Sequence, residues 1–243
     1  MKKILFFVAA FAMSVPGFAQ SDDGEEEFVV SKTKSNAFFV GPKAGVTLNS
    51  MSQPNEGKLY DASGIGFSGG VVAKARFGKA SENSEGGTGY FAVGFELKYK
   101  QNTVKTLARD ESGKEKANLT LAYFDVPIFV QVFPFAKTPS INSLYVEVGA
   151  AIDGTLSRSP KQLILAHPNE NMSQVVYNID SNGTKLKGGD LRPFAGVGYV
   201  VPNTGLEINA RYYIGTSELA KNMNCKINHL EVSLAWLFNV GKF

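Results

Sequence analysis

From Phe38 onward, apolar and polar residues alternate with a period of two in eight separate stretches. The third stretch, about 89–100, is the cleanest. Phe91, Val93, Phe95, Leu97 and Tyr99 fall on one side, and Ala92, Gly94, Glu96, Lys98 and Lys100 on the other. A helix turns about 100° per residue and would scatter these two sets, so the period predicts strands. The other seven stretches run at about 38–48, 65–77, 118–133, 143–155, 190–201, 204–215 and 228–240. Their apolar sides carry, for example, Val46 and Leu48, Val71 and Ala73, Ile128 and Val130, Val146 and Val148, Ala195 and Val197, Ile208 and Tyr212, and Val232 and Trp236. Pro127 interrupts the fourth strand and predicts a bulge there.

Eight antiparallel strands of about 10–13 residues suit an up-and-down β-barrel that crosses a membrane, where a tilted strand needs about 9–11. The connections alternate in length. Those after the first, third, fifth and seventh strands cover about 49–64, 101–117, 156–189 and 216–227; those after the second, fourth and sixth cover 78–88, 134–142 and 202–203. Long loops outside and short turns inside predict a barrel in the outer membrane with both termini periplasmic. The 78–88 turn is longer than this rule expects.

Alternation alone leaves open which side points inward, and a soluble eight-stranded lipocalin has the same period with its apolar side inside. Three features favour lipid outside. The charged side also carries Gly41, Gly45, Gly70, Gly94, Gly149, Gly196 and Gly198, which leave room for long side chains in a narrow lumen. Tyr99, Tyr199, Tyr212, Trp236 and Phe238 lie near strand ends on the apolar side, where an aromatic girdle belongs. The last strand, LEVSLAWLFNVGKF, is rich in aromatics. Phe238 or the terminal Phe243 is the expected signal for the barrel-assembly machinery; Phe243 is off phase unless a bulge intervenes.

The first residues have the form of a signal peptide over 1–19. Lys2 and Lys3 precede a short apolar run from Ile4 to Val15, and Gly17-Phe18-Ala19 places cleavage between Ala19 and Gln20. The run falls short of the ~18–20 residues of a spanning helix. Residues 20–36, with Asp22, Asp23, Glu25, Glu26 and Glu27, read as a flexible acidic tail, leaving 37–243 for the barrel. Mean hydropathy is -0.07, a value that alternation averages out and that does not argue against a barrel. Cys225 is the single cysteine, so no intrachain disulfide forms. One cysteine and two histidines make a zinc site of the usual ligands unexpected, and no cofactor is expected. The near-neutral balance, 25 basic against 22 acidic residues, gives no support to nucleic-acid binding.

GPKAGVTLNSM in the first strand, YFDVPIFVQVF in the fourth, DLRPFAGVGYVV in the sixth, GLEINARYYIGTSEL in the seventh and the closing strand together carry a family resemblance. Over roughly 38–243 the chain resembles the PorT-like outer-membrane β-barrel family of the Bacteroidetes. The resemblance implies a small outer-membrane barrel and no particular activity. It also implies an alternative role, as an accessory of a secretion or envelope-assembly machine of the type IX kind.

The inward side would collect seven basic residues, Lys43, Lys74, Arg76, Lys98, Lys100, Arg192 and Arg211, and six acidic ones, Glu96, Asp125, Glu147, Asp153, Glu207 and Glu231. An ion-selective pore or a catalytic site is one reading. A mutually paired plug is the favoured one, because eight strands enclose little more than their own side chains and unpaired buried charge is costly. No catalytic residue is expected: His167, His229, Asp153 and Ser157 fall near the predicted outer rim, but no motif joins them. SNGTKLKGGD at 181–190 lacks phosphate-loop spacing and reads as turn chemistry. The expected partners are outer-membrane lipid, the assembly machinery, and a periplasmic or surface protein.

Overall fold

The computed structural model describes residues 36–52, 63–77, 89–109, 115–136, 138, 141–159, 162–166, 174–178, 190–202, 204–216 and 226–242. Residues 1–19, read above as a signal peptide, with Gln20, the residues of the expected acidic tail through 35, the 78–88 turn, His167, residues 181–189 and Phe243 lie outside the described residues. The described strands are β1 (Ala37–Met51), β2 (Ser63–Phe77), β3 (Phe91–Arg109), β4 (Glu115–Val132), β5 (Leu144–Ser159), β6 (Gln162–Ala166), β7 (Gln174–Asn178), β8 (Asp190–Val200), β9 (Leu206–Tyr213), β10 (Ile227–Trp236) and β11 (Phe238–Lys242).

All pairings are antiparallel. β1 pairs β2, then β3, β4, β5, β8, β9 and β10 follow in turn, and β10 returns to β1. The ring is a closed eight-stranded, up-and-down barrel. β11 continues β10 along β1 after a break at Leu237. Its register shifts between Phe38 and Phe39, so Asn239 faces Phe39 while Gly241 faces Phe38, and Val240 is the extra residue. A bulge therefore separates Phe238 from the end of the chain. The β8–β9 connection is tight: Val201 N donates to Leu206 O at 2.7 Å, and Gly205 takes a φ of 72°, a left-handed value that glycine adopts without a Cβ clash.

Three expectations change. Pro127 does not cause a bulge. Against β3 the pairing passes from Phe95↔Ile128 to Lys98↔Asp125 in unchanged register, and the register of β4 shifts instead at Ala122/Tyr123, where β5 carries the extra residue, and opposite Lys105/Ala108, where β3 does. A proline removes one donor without adding a residue, so the two pairs between these are missing and the register survives. β3 and β4 run about nine and three residues past the ends expected from the alternation. And the 156–189 connection contains the β6–β7 hairpin, with β6 pairing β3 at Ala108↔Leu163 and Arg109↔Gln162.

The outer face is apolar. Between Phe91 and Tyr99 on β3, Phe124 and Val132 on β4, and Leu230 and Phe238 on β10 and β11, the outward residues are all apolar or aromatic. Val148 is 63% exposed and Trp236 53%. Phe91 to Tyr99 covers about 27 Å along the strand. A tilt of ~40° shortens that to roughly 21 Å, near the ~25 Å apolar band of a membrane barrel. The core of the molecule is the lumen itself, where Val72, Phe129, Ala151, Phe194, Tyr213, Ala235 and Leu237 form one buried cluster.

Candidate functional site

The alternation that turns valine and leucine outward turns every second residue into the lumen. Lys43, Lys74, Arg76, Glu96, Lys98, Lys100, Asp125, Glu147, Asp153, Arg192, Glu207, Arg211 and Glu231 all point there and all are buried, none more than 9% exposed. They interlock in layers along the axis.

Nearest the termini, Lys74 Nζ meets Glu207 and donates to Gln131 Oε1 at 3.2 Å; Gln131 Nε2 donates to Glu147 Oε2 at 3.2 Å. In the middle, Arg211 bridges two carboxylates. Its Nε lies 2.5 Å from Glu147 Oε1, its Nη2 3.1 Å from Glu147 Oε2, and its Nη1 2.8 Å from Glu96 Oε1. Two donor directions of one planar guanidinium are thus used at once, which an ammonium cannot match. Its carbon lies 4.9 Å from the centres of both the Phe129 and the Phe194 rings, so the aromatic bulk of the lumen holds the fork in place. Lys43 adds a second cation to Glu96 at 2.8 Å.

Further from the termini, Lys98 Nζ reaches Glu231 Oε1 at 2.7 Å, Glu96 Oε2 at 3.3 Å and the Tyr213 hydroxyl at 3.1 Å. Beyond it lies a pair of carboxylates on adjacent strands: Asp125 and Asp153 are direct cross-strand partners. Like charges so placed repel. Each has its own cation, Lys100 Nζ at 2.6 Å from Asp125 and Arg192 Nε at 2.8 Å from Asp153.

Both ends of the lumen are lined by other chemistry. At the terminal end, Arg76 departs from the expected pairing with acids. Its Nε donates to Gly89 O at 3.0 Å and its Nη2 to Asn142 O at 3.3 Å, and its guanidinium lies 3.6 Å from the centre of the Phe133 ring. It ties the turn after β4 across the opening, where Phe133, Ala136, Ala92 and Tyr145 pack. At the loop end, the inward residues turn apolar: Met51, Val104, Leu119, Leu121 and Ile227 are no more than 6% exposed.

His229 is not at a rim. It is 1% exposed, stacked on Tyr213 at 4.4 Å, with Nε2 3.1 Å from Lys100 Nζ. Sequence reasoning placed the charges but missed the neutral connectors Gln131, Asn209 and His229. Asn209 Nδ2 donates to Glu147 Oε1 at 2.6 Å and to the Tyr145 hydroxyl at 3.0 Å. The phase they share with the charges was the available signal. Asp153 lies deep in the lumen, while Ser157 is exposed on the wall, so the two do not form a site.

A closed barrel of eight antiparallel strands, apolar outside and charged within, is an integral outer-membrane β-barrel. The chain belongs to the family described as outer membrane protein beta-barrel domain, which matches residues 18–220. Among solved structures it is similar to Neisserial surface protein A, with 17% identity over 83% of this chain and 97% of that one and a TM-score of 0.39. It is also similar to Ail, the attachment invasion locus protein of Yersinia pestis (12%, 83% and 99%, TM-score 0.36), and to the outer membrane protein OprG of Pseudomonas aeruginosa (10%, 84% and 97%, TM-score 0.37). No curated protein matches the chain.

Proposed function

We propose that the protein is a plugged outer-membrane barrel that acts as a structural or binding protein through its extracellular loops or its periplasmic rim, without catalysis. The observation that carries this reading is the filled lumen: the charges are spent on one another between an apolar layer and an Arg76-tied turn, so solute has no path and no substrate reaches the buried groups. The termini face the periplasm in this reading, after removal of residues 1–19 and with the acidic tail free there. Support comes from connection length. Residues 201–205 join β8 to β9, whereas the β5–β8 connection at the opposite end is long enough to hold a hairpin.

A second reading is an accessory of a secretion or envelope-assembly machine. It is favoured by the order and spacing of the motifs shared with PorT-like barrels, from GPKAGVTLNSM to the closing strand. Deletion of the gene, with capture of the cross-linked protein from cells, separates the two. The stand-alone barrel predicts normal export of secreted proteins and no stoichiometric envelope complex. Blocked export together with a co-purifying complex would replace it with the machine.

A further inference from the structure

We propose that Asn49, Asn102 and His229 form a binding site for one internal water molecule, set between the charged network of the lumen and the apolar layer at its loop end. The site goes beyond the loop and rim reading above and does not depend on it.

The three residues point inward from β1, β3 and β10, and none is more than 3% exposed. Asn49 and His229 are direct cross-strand partners. Asn102 is tied to the same place by two bonds. Thr47, one inward position before Asn49 on β1, donates from Oγ1 to Asn102 Oδ1 at 3.1 Å, and Asn49 Nδ2 donates to Thr103 O at 3.3 Å. Both bonds cross β2, which lies between β1 and β3 and sets Gly66 opposite Thr47 and Gly64 opposite Asn49. A Cβ on Gly66 would lie 2.5 Å from Thr47 Oγ1, so glycine is what lets the side chains of β1 reach β3 here.

The bonds already made fix what each residue still offers. The Lys100 ammonium has donors only, so His229 Nε2, 3.1 Å away, accepts and the ring hydrogen sits on Nδ1. The carbonyl of Thr103 only accepts, so the Asn49 amide turns its nitrogen there and keeps Oδ1 as a free acceptor. Thr47 occupies Asn102 Oδ1 and leaves the Nδ2 donors. Among the described residues nothing bonds His229 Nδ1, Asn49 Oδ1 or Asn102 Nδ2. Buried polar groups are satisfied in native structures, and an internal water makes about three bonds to groups of this kind. Two donors and one acceptor match a water that accepts twice and donates once. An anion meets the Asn49 oxygen and a cation meets the two donors, so neither ion suits the set.

The surroundings set the size of the ligand. One inward position nearer the loop end, the same three strands carry the buried Met51, Val104 and Ile227. On the other side stand Lys100, held 2.6 Å from Asp125, and the Tyr213 ring stacked on His229. A water in this place holds His229 in the tautomer that accepts from Lys100, and so couples the neutral layer to the charged one.

The test is nuclear magnetic resonance on the full mature protein in detergent micelles, with nitrogen-15 in histidine and with His167→Asn so that His229 is the one histidine left. The expected spectrum shows hydrogen on Nδ1 and none on Nε2, with a nuclear Overhauser contact from the Nδ1 proton to water. Asn49→Leu removes the acceptor and fills its place, and the contact to water is lost. Hydrogen on Nε2, no contact to water in the protein with Asn49, a direct bond from Nδ1 to Asn49, or a contact that survives Asn49→Leu overturns the proposal. Should Asn49→Leu fail to fold, the tautomer and the water contact of the protein with Asn49 decide it alone.

Discussion

At the scale of the residue, the lumen decides the outcome. Arg211 is fully buried and holds Glu147 and Glu96 together. Arg211→Met takes the paired cation from Glu147 in a low-dielectric interior and leaves Glu96 to Lys43 and Lys98, a loss of about 3–5 kcal/mol for a broken buried pair. Urea unfolding of refolded protein in liposomes measures it; a midpoint equal to wild type contradicts the network. The glycines make a sharper comparison. From the sequence alone, Gly94→Ala on the lumen face would matter less than a charge placed in lipid. The structure shows the site is full: a Cβ there would lie 2.6 Å from Phe129 Cζ and 2.7 Å from Lys74 Cβ. On the lipid face, Gly69 has nothing within 4 Å. Gly94→Ala is therefore expected to cost about 1–3 kcal/mol as an overpacked site, and Gly69→Ala close to nothing. Equal effects in the same assay would mean that the lumen is looser than described. The charged side chains were legible in the sequence because a period of two assigns each to a face. Which partner each would choose was not, since reach across the barrel from Lys98 to Glu231 depends on closure and stagger that no local pattern encodes.

At the scale of the element, the eight staves were readable wherever one face meets lipid. The reading failed where lipid stops. Past Tyr99, β3 continues as Lys-Gln-Asn-Thr-Val-Lys, whose outward positions Gln101, Thr103 and Lys105 are polar, so the contrast between faces disappears although the strand does not. Leu119 and Leu121 on β4 share the inward phase of Asp125, the reverse of the rule that holds within the membrane. The five-residue runs of β6 and β7 are too short for periodicity to separate strand from loop. The assignment of faces itself has a direct check. Val148 and Val93 are 63% and 42% exposed on the proposed lipid face, and arginine at mid-depth of a barrel costs about 2–4 kcal/mol. Val148→Arg and Val93→Arg are expected to lower the folded fraction, read as the band that changes mobility on boiling. Unaltered folding of both variants would indicate that this face does not contact lipid.

At the scale of the whole molecule, the proposed function rests on one property, the filled lumen. Eight strands fix a narrow lumen; the inward phase fills it with charges that pair; Arg76 and the Phe133 turn line one end, and Met51, Val104, Leu119, Leu121 and Ile227 the other. In the proposed reading, a barrel so filled has its rim and loops left for work. Little of that work was legible in the chain, because binding by loops leaves no spacing motif of the kind that marks a metal or a nucleophile. The most direct test of the central claim is planar-bilayer recording on purified, refolded protein. A closed lumen predicts a baseline without steady conductance in wild type, with openings appearing only when the network is cut, as in Arg211→Met or Glu147→Gln. A large, steady wild-type conductance whose ion selectivity changes on neutralising Arg192 or Glu147 would contradict the plug and make the protein a channel.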